Sequence, residues 1–215
     1  RLAAIHARVA EGFSTGDRLV YTGNYFCARD SAKPRAVLND LLAFRRDLLA
    51  RSGVMAEDVA FLRGVQEELW NKLQQIQMAQ SPQQVISWIE KSYPEMDALL
   101  RDFDTSLTEA SLKAREGIMS LTRWSTALKA RIREDKGAER FFANLRRAAF
   151  TEQSDNINDN TLIVHAGIRP DVPLTEQGDH FWWSNRAFAQ MTEPYEPFRT
   201  LVRGSDPDGQ GVKIG

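Results

Sequence analysis

The 215-residue chain is poorest in cysteine and histidine, with one Cys (Cys27) and three His (His6, His165 and His180). A single thiol excludes an internal disulfide framework and fits a reducing, cytoplasmic compartment. An excess of either charge is also missing, because 28 Lys and Arg face 29 Asp and Glu. With no basic block along the chain, a nucleic-acid partner has no electrostatic footprint. The apolar runs are far too short to span a membrane. No strict repeat and no low-complexity tract is present.

A chain of this length suits one α/β domain with an insertion, or two small domains, and it is long enough to bury a sizeable core. Residues Leu2–Val9 have helical spacing, with His6 among small and apolar neighbours in a structural or exposed role. Leu19-Val20-Tyr21, followed by Gly23-Asn24, reads as a strand ending in a turn. In residues 34–51 helical spacing puts Val37, Leu41, Phe44 and Leu48 on one face, with Pro34 near the start. A second strand is expected over Val59–Leu62, ending at Arg63-Gly64, where Val65-Gln66-Glu67 opens a new helix. Strand, helix, strand, helix is the order of a parallel sheet.

From about residue 66 to 150 the chain is helix-forming, punctuated by Pro82 and Pro94. Ile118, Leu121, Leu128 and Ile132, with Trp124 alongside, predict one apolar face, and Phe141, Phe142, Leu145 and Ala149 another. A helical subdomain packing on a sheet accounts for this region, and a partner-docking surface is the sharper alternative. Residues 151–159 are polar and read as a loop. The aromatic stretch Phe181, Trp182, Trp183 and Phe188 reads as a loop over a sheet edge, with His180 beside it. Thr200–Arg203 is a short strand ending at Gly204-Ser205, and Gly211–Ile214 begins another.

The chain is organised around Asn160–Pro170, NTLIVHAGIRP. Its apolar run is bounded by Asp159-Asn160 on one side and by Gly and Pro on the other, the pattern of a buried strand ending in a tight turn. His165 at the carboxyl end of such a strand stands where open α/β sheets place ligand chemistry. A buried imidazole satisfied by a backbone carbonyl is the plainer alternative.

Taken in order, these strand ends resemble the motifs of the calcineurin-like metallophosphoesterases, in their bacterial serine/threonine phosphatase branch. GDRLVYTGNYFCARDS (16–31) is similar to the family's second motif, FLRGVQEE (61–68) to its G-N-H-E turn, VHAGIRPDVP (164–173) to its V-H-A-G turn and LVRGSDP (201–207) to its late G-H. FWWSNRAF (181–188) resembles the aromatic segment that follows the fourth motif. The resemblance spans nearly the whole chain, and the family's first motif would lie upstream of Arg1. It implies an α/β fold, a layered β-sandwich flanked by helices, as a single domain over 1–215 with a helical subdomain at about 66–150.

The family's chemistry rests on two divalent metals such as Mn, about 3.5–4 Å apart, clamping a phosphoryl group. Two dications at that spacing repel by on the order of 16 kcal/mol even at an effective dielectric of 20. In the family a bridging aspartate offsets that repulsion, and this chain has Asn24 there. Val65 replaces an asparagine ligand and Ser205 a histidine ligand. Gln66 replaces the acidic histidine, and an amide has no proton to give near neutral pH. Cys27 replaces the aspartate that orients this histidine, and Ala28, or Arg29 with a one-residue slip, stands where an arginine grips phosphate. Of the ligand set visible in this sequence only His165 remains.

The resemblance therefore implies an inactive relative, a pseudophosphatase with no catalytic residue and no cofactor. Three roles follow from it. The chain binds a protein partner through 66–150 or 179–188. Or His165, Arg169, Arg186 and Arg203 hold a phosphorylated ligand, unless those arginines salt-bridge to Asp171, Glu176 or Asp206. Or a residual metal-dependent phosphoester hydrolase survives.

Overall fold

The computed structural model describes residues 2–26, 33–151, 160–183 and 185–205. Among the described residues the fold is mixed α/β, with more than half of them helical and two small sheets. No described helix is long and apolar enough to cross a membrane. The chain divides into two compact units. The first comprises Arg1–Asp17, Tyr25–Ala56 and Gln66–Asn144, and the second Arg18–Asn24, Glu57–Val65 and Leu145–Gly215.

The first unit is helical. It holds α1 (Leu2–Gly12), α2 (Pro34–Leu49), all but the first residue of α3 (Val65–Gln74), α4 (Pro82–Ser92), α5 (Met96–Arg101), α6 (Leu107–Glu116), α7 (Ile118–Glu134) and α8 (Ala138–Ala143). Pro34 and Pro82 sit in the first turns of α2 and α4, where a missing N–H costs nothing. The Ser106 hydroxyl caps α6 by accepting from Glu109 N at 3.0 Å. The face expected on α2 is buried at Leu41, Phe44 and Leu48, joined by Leu38. On α7 Leu121, Trp124, Leu128 and Ile132 are buried, but Ile118 is exposed. It occupies the first turn, directly after Gly117. The second expected stripe also breaks, because α8 ends at Ala143 and Ala149 belongs to a strand. Phe26, Trp70, Phe103, Phe141 and Phe142 form an aromatic core, with ring centroids 5.2–6.1 Å apart in successive pairs.

The second unit carries the sheets. β1 (Leu19–Tyr21) pairs in parallel with β2 (Val59–Phe61), Leu19 opposite Val59 and Tyr21 opposite Phe61. β3 (Ala149–Phe150) runs antiparallel to β4 (Thr161–Val164), which pairs in parallel with β5 (Thr200–Arg203). The register puts Leu162 and Val164 on one face, and both are fully buried. Ile168, Phe181, Trp182, Tyr195 and Phe198 complete that core. The aromatic stretch expected as a loop forms two short helices, α9 (His180–Trp183) and α10 (Asn185–Ala189). Phe181 and Trp182 point into the core, so one helical turn buries two adjacent large rings. Residues 152–159 and the expected strand at Gly211–Ile214 lie outside the described residues.

Candidate functional site

Four turns of the second unit meet where strands β1, β2, β4 and β5 end. β1 runs into Thr22-Gly23-Asn24, with Gly23 at φ 95° and Asn24 at φ 59°. Glycine and asparagine are the residues that enter this left-handed region most readily. A Cβ on Gly23 would lie 2.7 Å from both Gly64 N and His165 Nδ1, and one on Gly64 would lie 2.6 Å from Asn24 Oδ1 and 2.8 Å from His165 Cε1. The absence of side chains at both positions lets the β1 and β2 turns close on the imidazole. The β5 turn joins them: Gly204 N donates to His165 O at 3.0 Å and Ser205 N at 2.8 Å.

His165 is 1% exposed. Its Nδ1 is 2.6 Å from Thr22 O, and a carbonyl only accepts, so Nδ1 carries the proton. In the neutral ring the lone pair then sits on Nε2, which is buried with no hydrogen-bond partner among the described residues. Burial holds the imidazole below its ordinary pKa of 6.5, against the opposing pull of the Thr22 carbonyl. Both sequence alternatives therefore have a place here: one ring nitrogen is satisfied by backbone, and the other keeps a ligand's electrons.

An N–H held by a carbonyl is how metal-binding imidazoles are oriented, so His165 by itself fits a metal. The described turn residues beside it bring no carboxylate and no second imidazole. Asn24 brings a neutral amide, Val65 has no donor atom, and Ser205 brings a hydroxyl in place of an imidazole. Among the described residues no three His, Cys, Asp or Glu side chains are grouped to hold an ion.

The arginines chosen from the sequence do not share one task. Arg169 pairs with Asp171 through Nε at 3.1 Å and through its Nη2. Arg203 lies over the Phe188 ring, 4.7 Å from its centroid, and Arg186 is exposed on α10. Cys27, Ala28, Arg29 and Asp206 lie outside the described residues.

Sequence reasoning missed three features. Arg63 and Arg147 stack on Trp182 and Phe181, 5.8 and 5.3 Å from the ring centroids, so the aromatic segment is a platform for guanidinium groups. Gln177, fully buried, shapes the loop after His165 by accepting from Arg169 N at 2.9 Å and donating to Arg169 O and Val172 O at 2.8 and 2.6 Å. In the helical unit Gln66 Oε1 accepts from Phe26 N at 3.1 Å and Glu67 Oε1 from Tyr25 N at 3.0 Å. Gln66 and Glu67 thus act as clamps on the backbone after β1. No sequence pattern distinguishes Gln177 from an exposed glutamine.

No protein-family model, no curated protein and no solved structure matches the chain.

Proposed function

We propose that this chain is a pseudophosphatase. It has the layered fold of the calcineurin-like metallophosphoesterases, bacterial serine/threonine phosphatase branch, without their two-metal chemistry, and it acts in the cytoplasm by binding a protein or a phosphorylated ligand. One observation carries the reading: the turns at Asn24, Gly64, His165 and Ser205, far apart in sequence, meet around a single imidazole. Their order and meeting point suit a phosphate-cleaving crevice, while their side chains do not suit two dications. A neutral amide at Asn24 leaves cation–cation repulsion uncompensated. Gln66 has no proton to donate to a leaving oxygen, and its carbonyl oxygen is engaged by Phe26 N.

The residual-hydrolase reading has one observation in its favour, the buried Nε2 lone pair of His165. Titration calorimetry with Mn2+ and an assay with p-nitrophenyl phosphate separate the two. The expected result is no micromolar binding and no turnover above buffer, in the natural chain and in Asn24→Asp alike. Metal-dependent turnover that disappears in His165→Ala would overturn the proposal. Titration with phosphate then separates phospho-ligand binding from protein binding.

A further inference from the structure

Helix α1 is unusually apolar and mostly exposed. Seven of its eleven residues are Leu, Ile, Val or Ala, yet His6 alone is buried. Its ring lies flat on Phe44 of α2, with centroids 3.9 Å apart and planes within 6°, and is 8% exposed. Beside this stack runs an open groove of about 380 Å³ between the two helices, walled by Ala3 and Ala7 on one side and Asp40 and Asp47 on the other. A different contact holds the far end: Arg51 donates to Ala10 O at 2.9 Å and to Phe13 O at 3.2 Å. That bond is insensitive to pH because guanidinium stays charged. In the amino-terminal half of α1 the His6–Phe44 stack is the buried contact with α2.

We propose that His6 is a pH-gated anchor, holding the first half of α1 on α2 near neutrality and releasing it in mild acid. A neutral imidazole stacks on Phe44 as an aromatic ring, whereas the charged form must leave water to stay there. Asp40 and Asp47 are the charged groups facing it from α2, and Arg8 and Glu11 are exposed on α1 itself. Burial lowers the His6 pKa from 6.5, and the opposing attraction of Asp40 is the smaller effect. Because the folded value lies below 6.5, the anchor's contribution is complete above that pH and is lost as pH falls from 6.5 through the folded value. The groove already separates the two helices, so α1 can lift without opening a sealed core.

Hydrogen exchange on the full chain tests this, with rates divided by the intrinsic rate at each pH. Between about pH 7.5 and about pH 5.5, protection of the His6–Val9 amides should fall about three- to tenfold, and in His6→Phe it should not change. The His6 Cε1–H resonance should titrate with a midpoint below 6.5. Asp40→Asn, which removes the favourable charge, should move that midpoint lower still. Equal protection of the natural chain at both pH values, the same fall in His6→Phe, a midpoint at or above 6.5, or no movement in Asp40→Asn would each overturn the anchor.

Discussion

Adding a methyl group to Gly204 puts the meeting of the strand-end turns under direct strain. A Cβ there would stand 2.0 Å from Thr22 Oγ1 and 2.1 Å from Thr22 Cβ. The hydroxyl can rotate away, but Thr22 Cβ is fixed by its own backbone. Carbon atoms rest about 3.5–4.0 Å apart, so one turn must retreat by about 1.5 Å. The β5 turn is held by Gly204 N on Val164 O and His165 O, at 3.1 and 3.0 Å, and by Ser205 N on His165 O at 2.8 Å. Retreat therefore strains or breaks one or two backbone hydrogen bonds, each worth about 1 kcal/mol, on top of overpacking at the upper end of about 1–3 kcal/mol. A total of about 4–5 kcal/mol corresponds to a fall in melting temperature of about 8–20 °C for a chain of this size. Near-UV circular dichroism during heating measures it. Gly12→Ala serves as the control, because nothing lies within 4 Å of its added Cβ, and it should melt at or slightly above the natural chain. Thr22→Gly in the Gly204→Ala background should recover most of the loss. A Gly204→Ala protein that melts within about 2 °C of the natural chain, or one that Thr22→Gly leaves unimproved, would refute the packing described for these turns.

Other outcomes follow from particular bonds. Gln66→Met keeps the volume but removes the acceptor for the buried Phe26 N–H, so urea unfolding should show a loss of about 1–3 kcal/mol with an unchanged slope. Tyr195→Phe removes the hydroxyl that donates to Val172 O at 2.7 Å and should cost about 1 kcal/mol by the same measurement. Asp171→Asn should leave the melting temperature unchanged, because its pair with Arg169 is half exposed on both sides and solvent screens it.

Much of the architecture is legible from local pattern. The runs Leu19–Tyr21 and Thr200–Arg203 are strands at the expected residues, and Gly and Pro mark where elements stop. Helical spacing finds the buried face of α2 because a helix on a core must repeat its apolar residues every three or four positions. The same rule misplaces Ile118, since periodicity says which side of a helix is apolar and not how far along the helix a neighbour reaches. The aromatic run at 181–183 carries no period at all, so a four-residue helix there is invisible until the core that it fills is known.

The sequence by itself determined which side chains stand at the turns: an imidazole, an amide, a valine, a glutamine and a serine, and no fold gives them other atoms. It also determined the order of the strands and the turns that end them, because β-branched runs and glycines act over a few residues. Tertiary structure alone decided how those residues are used. It set the Nδ1 proton of His165 on Thr22 O, gave Gln66 and Glu67 to the backbone after β1, and seated His6 on Phe44. Each of those contacts joins residues 38 to 143 positions apart, and the direction of a hydrogen bond or the face of a ring is fixed only by what the folded chain brings beside it.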